Sequence, residues 1–261
     1  GEIDARVWDD AEEVAKGFNK NDVVSIKGFG VAYQGGIQLN VSAVKALAEG
    51  SYSLRDFLPS SERSHASLEA ELDSILSSMK DPNLKALMEA IFADKEIREK
   101  FLIAPAAKAM HHSYLGGLAE HVFSICALAD KVSSHYGASV NRDLLLSGAM
   151  LHDIGKVYEL TYERAFDYSD EGRLIGHITI GVELIDRKIA SLADFPRELG
   201  VLLKHMVLSH HGQLEFGSPK RPKTIEAIIL SYLDDLDAKV NTVRALLSGK
   251  PDGSNWTPYQ R

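Results

Sequence analysis

The sequence predicts a mainly α protein, an all-α bundle preceded by a small β module, and three observations carry that prediction. Residues 1–50 hold short alternating runs broken by glycine, the pattern of half-buried strands. From Leu68 onward apolar residues recur at helical spacing. Between them, residues 51–67 are Ser-rich and charged, include Pro59, and read as a linker.

Taken in order, Ile3-Asp4-Ala5-Arg6-Val7-Trp8 and Asp22 to Gly28 read as strands, and Gly35-Gly36 suits a hairpin turn that needs positive φ. Leu68, Leu72, Ile75, Leu76 and Met79 mark one helix face, with Pro82 closing that segment. Further helical stretches are expected near 83–101, 112–135, 143–154, 177–191, 197–210 and 223–247, with Gly137, Gly155 and Gly212 as stop residues. The expected organisation is a β module over 1–50, a linker over 51–67, an all-α domain over 68–249 and a polar tail over 250–261. There is no internal repeat at a solenoid period.

Composition narrows the function. A single cysteine, Cys126, excludes an intrachain disulfide and a cysteine-rich zinc site; in an apolar helical run it reads as a core residue rather than a nucleophile. No apolar run is long enough to span a bilayer and no export segment opens the chain, so a cytoplasmic protein without a membrane partner is expected. A net charge of -8 argues against sequence-independent binding of a long duplex over the whole surface, but leaves room for a local basic groove. The densest cationic stretch is Lys220, Arg221 and Lys223, which is either a solvated loop or a phosphate contact.

The histidines are the chemical signal. His121, His152, His177, His210 and His211 lie inside or at the ends of apolar helices, where an unpartnered imidazole is costly to bury. With Asp153 beside His152 and Asp234 in a late apolar helix, they supply the imidazole and carboxylate donors that a divalent metal with open positions takes. Asp234, Asp237 and Asn241 share one helix face, so Asp237 is a candidate supporting or substrate contact, while Asp235 points elsewhere into solvent.

The order His121, His152-Asp153, Asp234 resembles the HD superfamily of phosphohydrolases, and His152-Asp153-Ile154-Gly155-Lys156 matches its most specific element. The resemblance implies an HD-domain helical bundle in which His121, His152, Asp153 and Asp234 hold one metal. It further implies that His177, His210 and His211 hold a second, with Asp153 bridging the two, or else line the pocket without ligating. Asp153 and Lys156 are the implied catalytic residues, Lys156 as a phosphate contact. His111 and His112 either contact a substrate phosphate or occupy a first helical turn. One or two divalent ions are implied, Mn²⁺ by resemblance, although the donor set also accommodates Fe²⁺, Co²⁺, Ni²⁺ or Zn²⁺.

Within that superfamily, His111 to His121 and Tyr232 to Asn241 resemble the bacterial YhaM-type 3′→5′ exoribonucleases, which carry an OB-fold module ahead of the HD domain. Gly1 to Asp9 resembles the middle of such a module, so an incomplete OB-like half is expected. Trp8, Phe29 and Tyr33 are then candidate stacking residues for single-stranded nucleic acid, or fill a small barrel core. The implied activity is 3′→5′ phosphodiester hydrolysis on single-stranded RNA or DNA with a metal-bound hydroxide as nucleophile. The alternatives are a nucleotide or cyclic-dinucleotide phosphohydrolase, and an inert nucleic-acid-binding adaptor. The cyclic-dinucleotide branch typically has Gly-Tyr-Pro after its His pair, where this chain has Gly217-Ser218-Pro219. An oligomeric state is left open.

Overall fold

The computed structural model describes residues 2–48, 50–108, 112–162 and 165–248. The mainly α prediction holds, with a small N-terminal sheet of the kind that fits part of an OB-like module. The chain divides into two compact units, one running up to Leu58 and the other built from Pro59–Tyr162 and the chain from Phe166 on.

In the first unit β1 (Ala5–Val7) lies parallel to β3 (Gly36–Ala46), which pairs antiparallel with β2 (Val24–Tyr33); the short helix α1 (Ala11–Ala15) follows β1. Tyr33 pairs with Gly36, so the two-residue turn is Gln34-Gly35 and not the expected Gly35-Gly36. Both turn residues have positive φ, 47° and 81°, the hand that matches strand twist. A bulge at Lys27/Gly28 interrupts the ladder.

The helical unit begins inside the expected linker, because the Ser64 side chain accepts from Ser67 N and caps α2 (His65–Ser78). Pro82, expected only to close the preceding segment, opens α3 (Pro82–Phe92) as its first residue, behind the Asp81 cap. The single helix expected over 83–101 is two. Asp94 accepts from Glu96 N and Ile97 N and starts α4 (Lys95–Ile103) afresh. Next come α5 (Gly117–Tyr136), α6 (Arg142–Leu151), α7 (Lys156–Glu159) and the strand pair β4 (Leu160–Thr161) and β5 (Asp167–Tyr168). The unit ends with α8 (Asp170–Leu174), α9 (His177–Ala190), α10 (Arg197–Ser209) and α11 (Ile225–Ser248). α5 packs on both α6 and α11, around buried residues such as Leu118, Val122, Leu145 and Leu230. No described helix is long and apolar enough to cross a membrane.

Two glycines set where α5 and α9 begin. α5 starts at Gly117 rather than near 112, because His112 has φ 50° and a Cβ on Gly117 would lie 2.0 Å from the His112 carbonyl oxygen. Gly155 does not stop α6, which already ends at Leu151; it precedes α7 and lets the α9 backbone approach. A Cβ there would lie 2.0 Å from His177 O and 2.8 Å from Gly181 N. Gly155→Ala must therefore push α9 away, and is expected to lower stability by about 2 kcal/mol or more, read as a lower urea midpoint.

Candidate metal centre

Three elements bring one group of donors together. α5 carries His121 in its second turn, His152 caps the C-terminus of α6 with Asp153 next to it, and α11 carries Asp234 and Asp237 on one face. His121 stands between these last two carboxylates. Asp234 Oδ1 is 3.2 Å from its Nε2, and Asp237 Oδ2 is 2.8 Å from its Nδ1. His152 Nε2 is 3.3 Å from His121 Nε2 and 3.8 Å from Asp234 Oδ1. The ligating atoms of His121, His152 and Asp234 all lie within 4.8 Å of one another.

A second group forms from His177, the first residue of α9, and from His210 and His211 at the end of α10, again with ligating atoms within 4.8 Å. Asp153 faces both groups. Its Oδ2 is 3.6 Å and 3.3 Å from Nε2 of His121 and His152, and its Oδ1 is 3.5 Å and 3.8 Å from Nε2 of His177 and His210. Asp153 Oδ1, His177 Nε2 and His210 Nε2 are buried and have no hydrogen-bond partner. Buried polar atoms are otherwise nearly always satisfied, so three orphans aimed at one another fit a divalent cation between them.

The imidazoles are oriented from behind. His152 Nδ1 donates to Ala149 O at 2.8 Å, His210 Nδ1 to Val207 O at 2.7 Å, and His211 Nδ1 to Phe216 O at 3.0 Å. A carbonyl can only accept, so the proton stays on Nδ1 and Nε2 keeps its lone pair for a metal. His121 and His177 use carboxylates for the same purpose, Asp237 and Glu159; the latter also accepts from His177 N at the start of α9.

Electrostatics follow from this packing. Burial works against charge on His121, but its hydrogen bonds to Asp234 and Asp237 prevail and raise its pKa to about 9. Ion uptake at Nε2 near neutral pH must therefore displace a proton. Burial, reinforced by neighbouring His152 and His211, holds His210 well below its ordinary value and so neutral. Burial alone would raise the Asp153 pKa, but Lys156 and the surrounding imidazoles hold it well below the carboxylate range. Lys156 Nζ lies 2.6 Å from Asp153 Oδ2, and that pairing outweighs burial to raise its own pKa.

Asp153, Lys156, His210, His211 and Asp234 open onto one cavity of about 270 Å³. Asp235, expected to point elsewhere, rims the same cavity while pairing with Lys239 at 2.7 Å, because one helical step still leaves it at the cleft edge. His112 is buried, hydrogen-bonds Asp237 at 3.2 Å and Tyr114 at 2.9 Å, and lines a neighbouring cavity instead. Arg221 lines the cavity that adjoins His211, whereas Lys220 lines neither of these. His111 lies outside the described residues, as does the polar tail. Trp8, Phe29 and Tyr33, in the sheet unit, are 68%, 64% and 55% exposed and do not fill a core. Cys126 is buried, and burial pushes its thiol up.

Sequence reasoning missed Glu159. The signal was available: a glutamate between Tyr158 and Leu160 in an apolar stretch needs a partner to be buried. It also missed how fully Asp237 is used, since that carboxylate accepts from Ser124 as well as from His112 and His121. An amide has one acceptor oxygen where the carboxylate has two. Asp237→Asn is therefore expected to weaken metal binding by about 10- to 100-fold, with helicity unchanged, in a chelator-competition titration.

A family model described as HD domain matches residues 118–239. The chain is also 38% identical over 253 residues to a 3'-5' exoribonuclease YhaM from Geobacillus sp. (strain WCH70), a match that covers 96% of this chain and 77% of that relative. No solved structure matches the chain.

Proposed function

The chain belongs to the HD-domain phosphohydrolases of the YhaM type, and from that premise we propose that it removes nucleotides from the 3′ end of single-stranded RNA. It is an enzyme of metal-dependent phosphodiester hydrolysis on nucleic acid. The observation that carries the finer reading is Asp153, a buried carboxylate with one oxygen toward His121 and His152 and the other toward His177 and His210. The end attacked and the preference for RNA rest on the likeness to that 3'-5' exoribonuclease.

We assign His121, His152 and Asp234 to one ion, His177, His210 and His211 to a second, and Asp153 to both, with Mn²⁺ as the metal. Bound divalent ions supply Lewis acidity, which eases ionisation of water and draws charge from the phosphoryl oxygens. The chain's residues do the rest. Asp237 and Glu159 keep His121 and His177 turned so that Nε2 faces Asp153. Lys156, beside Asp153 in the cavity, places a permanent positive charge where the scissile phosphate gathers negative charge. Ser231, on the cavity wall, donates its hydroxyl to Ile228 O and is not set up as a nucleophile. Water is therefore the acceptor: it adds to the phosphorus of the terminal nucleotide, the bond from that phosphorus to O3′ of the preceding nucleotide breaks, and the terminal residue leaves as a nucleoside 5′-monophosphate while the shortened strand keeps a 3′-hydroxyl.

The sheet unit contributes strand binding. Phe29, Val31 and Tyr33 alternate onto one face of β2, and Trp8 reaches the same face, where its Nε1 donates to Asn40 opposite Phe29. Exposed aromatics on a sheet suit base stacking without sequence preference.

The test is a product ladder from 5′-labelled single-stranded RNA incubated with the Mn²⁺-loaded protein. Stepwise shortening with release of nucleoside monophosphates is expected. Intact RNA beside rapid cleavage of a nucleotide or cyclic dinucleotide would move the activity to those substrates.

A further inference from the structure

The stripe of α11 that carries Asp234 does not end at the metal centre. Ser231, Asp234, Asp235 and Ala238 floor the cavity that holds Asp153 and Lys156. One turn earlier, Ile228, Ser231, Tyr232 and Asp235 floor a second cavity of about 390 Å³. His211, Phe216, Ser231 and Asp235 line both, so the two form one continuous trough along the helix. That volume lies in the range of small-molecule sites, roughly 300–1,000 Å³.

Two large rings stand open in this trough. Phe216 is 69% exposed and Tyr232 is 73% exposed. Phe216 is not loosely held: it ends a short 3-10 turn from Leu214, its carbonyl accepts from the His211 ring, and Gly217 N returns to Leu214 O. One backbone group thus ties the ring's position to a metal-facing histidine. Arg221 lines the same second cavity and has no carboxylate partner among the described residues. The negative charge of Asp235 is already met by Lys239.

We propose that Phe216 and Tyr232 form the base-stacking subsite for the nucleotide adjoining the one removed, with Arg221 on its phosphate. The inference rests on the nucleic-acid reading above; it brings in Phe216, gives the Tyr232 ring a role that the resemblance does not, and gives the candidate phosphate contact Arg221 a defined place. The chemistry points to a nucleotide rather than to a protein surface: the rings border the cavity of the candidate metal centre and the Arg221 charge beside them is positive. Every base has a π-face, so such a clamp grips strands of any sequence.

The experiment compares wild type, Phe216→Ala, Tyr232→Ala and Phe216→Tyr on single-stranded RNA and on the same oligomer with an abasic penultimate residue. Bound metal and oligomeric state are measured alongside. On intact RNA each alanine variant is expected to raise KM by about tenfold or more, with metal content unchanged, while Phe216→Tyr stays close to wild type. On the abasic oligomer wild type and the alanine variants should converge, because the partner of the rings is gone. Wild-type cleavage of RNA with no KM change in either alanine variant overturns this subsite and leaves the nucleic-acid reading standing. A wild type that leaves RNA uncut removes both. A change of oligomeric state in the alanine variants with unaltered RNA affinity assigns the rings to a contact between copies of the chain, and overturns the proposal as well.

Discussion

Asp153→Ala is expected to empty the centre of metal and to lower turnover by at least about a thousandfold. That side chain faces both histidine groups: its two oxygens lie 3.3–3.8 Å from the Nε2 atoms of His121, His152, His177 and His210. Removing that carboxylate leaves clustered imidazoles and Lys156 without the charge that offsets them, so a cation becomes harder to hold there rather than easier. Asp153→Asn keeps the shape but loses the charge and one acceptor oxygen, and should fall between wild type and alanine in metal content. Elemental analysis of protein purified without chelator reads the first effect, and initial rates on RNA read the second. Full metal content together with full turnover in the alanine variant would falsify the central role of Asp153.

His210→Ala is expected to reduce bound metal from two ions per chain to one and to lower kcat by about a hundredfold, since one Lewis acid of a pair is lost while the other stays. His210 Nε2 is buried, lacks a hydrogen-bond partner and lies 3.8 Å from Asp153 Oδ1. Burial keeps this ring neutral, so its lone pair is available. His177→Ala should behave alike, because His177 Nε2 is the matching orphan at 3.5 Å from the same oxygen. His121→Ala should instead deplete the other ion. A parent protein that binds one ion, with both His177 and His210 variants unchanged in metal content, would make the centre mononuclear.

Much of the centre was legible in the chain because its chemistry is unusual for its setting. Buried imidazoles and carboxylates in apolar helices need partners, which made His121, His152, Asp153, His177, His210, His211 and Asp234 candidates, and the family resemblance chose Asp234 among its neighbouring aspartates and gave the set its ligand roles. Helical periodicity separated Asp234 and Asp237 from Asp235, although the last still reaches the cavity rim. Helix ends were less legible. Pro82 and Gly155 read as stops, yet Pro82 opens α3, and Gly155 is small because α9 crosses it. A proline or glycine in sequence marks a boundary, but whether it closes one helix or starts the next depends on which neighbour caps it.

Sequence by itself determined the class of fold, through local periodicity, and the family, through the resemblance carried by His152-Asp153-Ile154-Gly155-Lys156 and its partners, and it named the candidate donors. The tertiary structure alone decided which oxygen of Asp153 faces which histidines, that Glu159 and Asp237 orient the rings, and that Phe216 and Tyr232 stand open beside the centre. Those relations join residues up to 116 positions apart, as between His121 and Asp237. They depend on how α5, α6, α9, α10 and α11 cross, which is settled by packing of their apolar faces and not by any pattern within one of them.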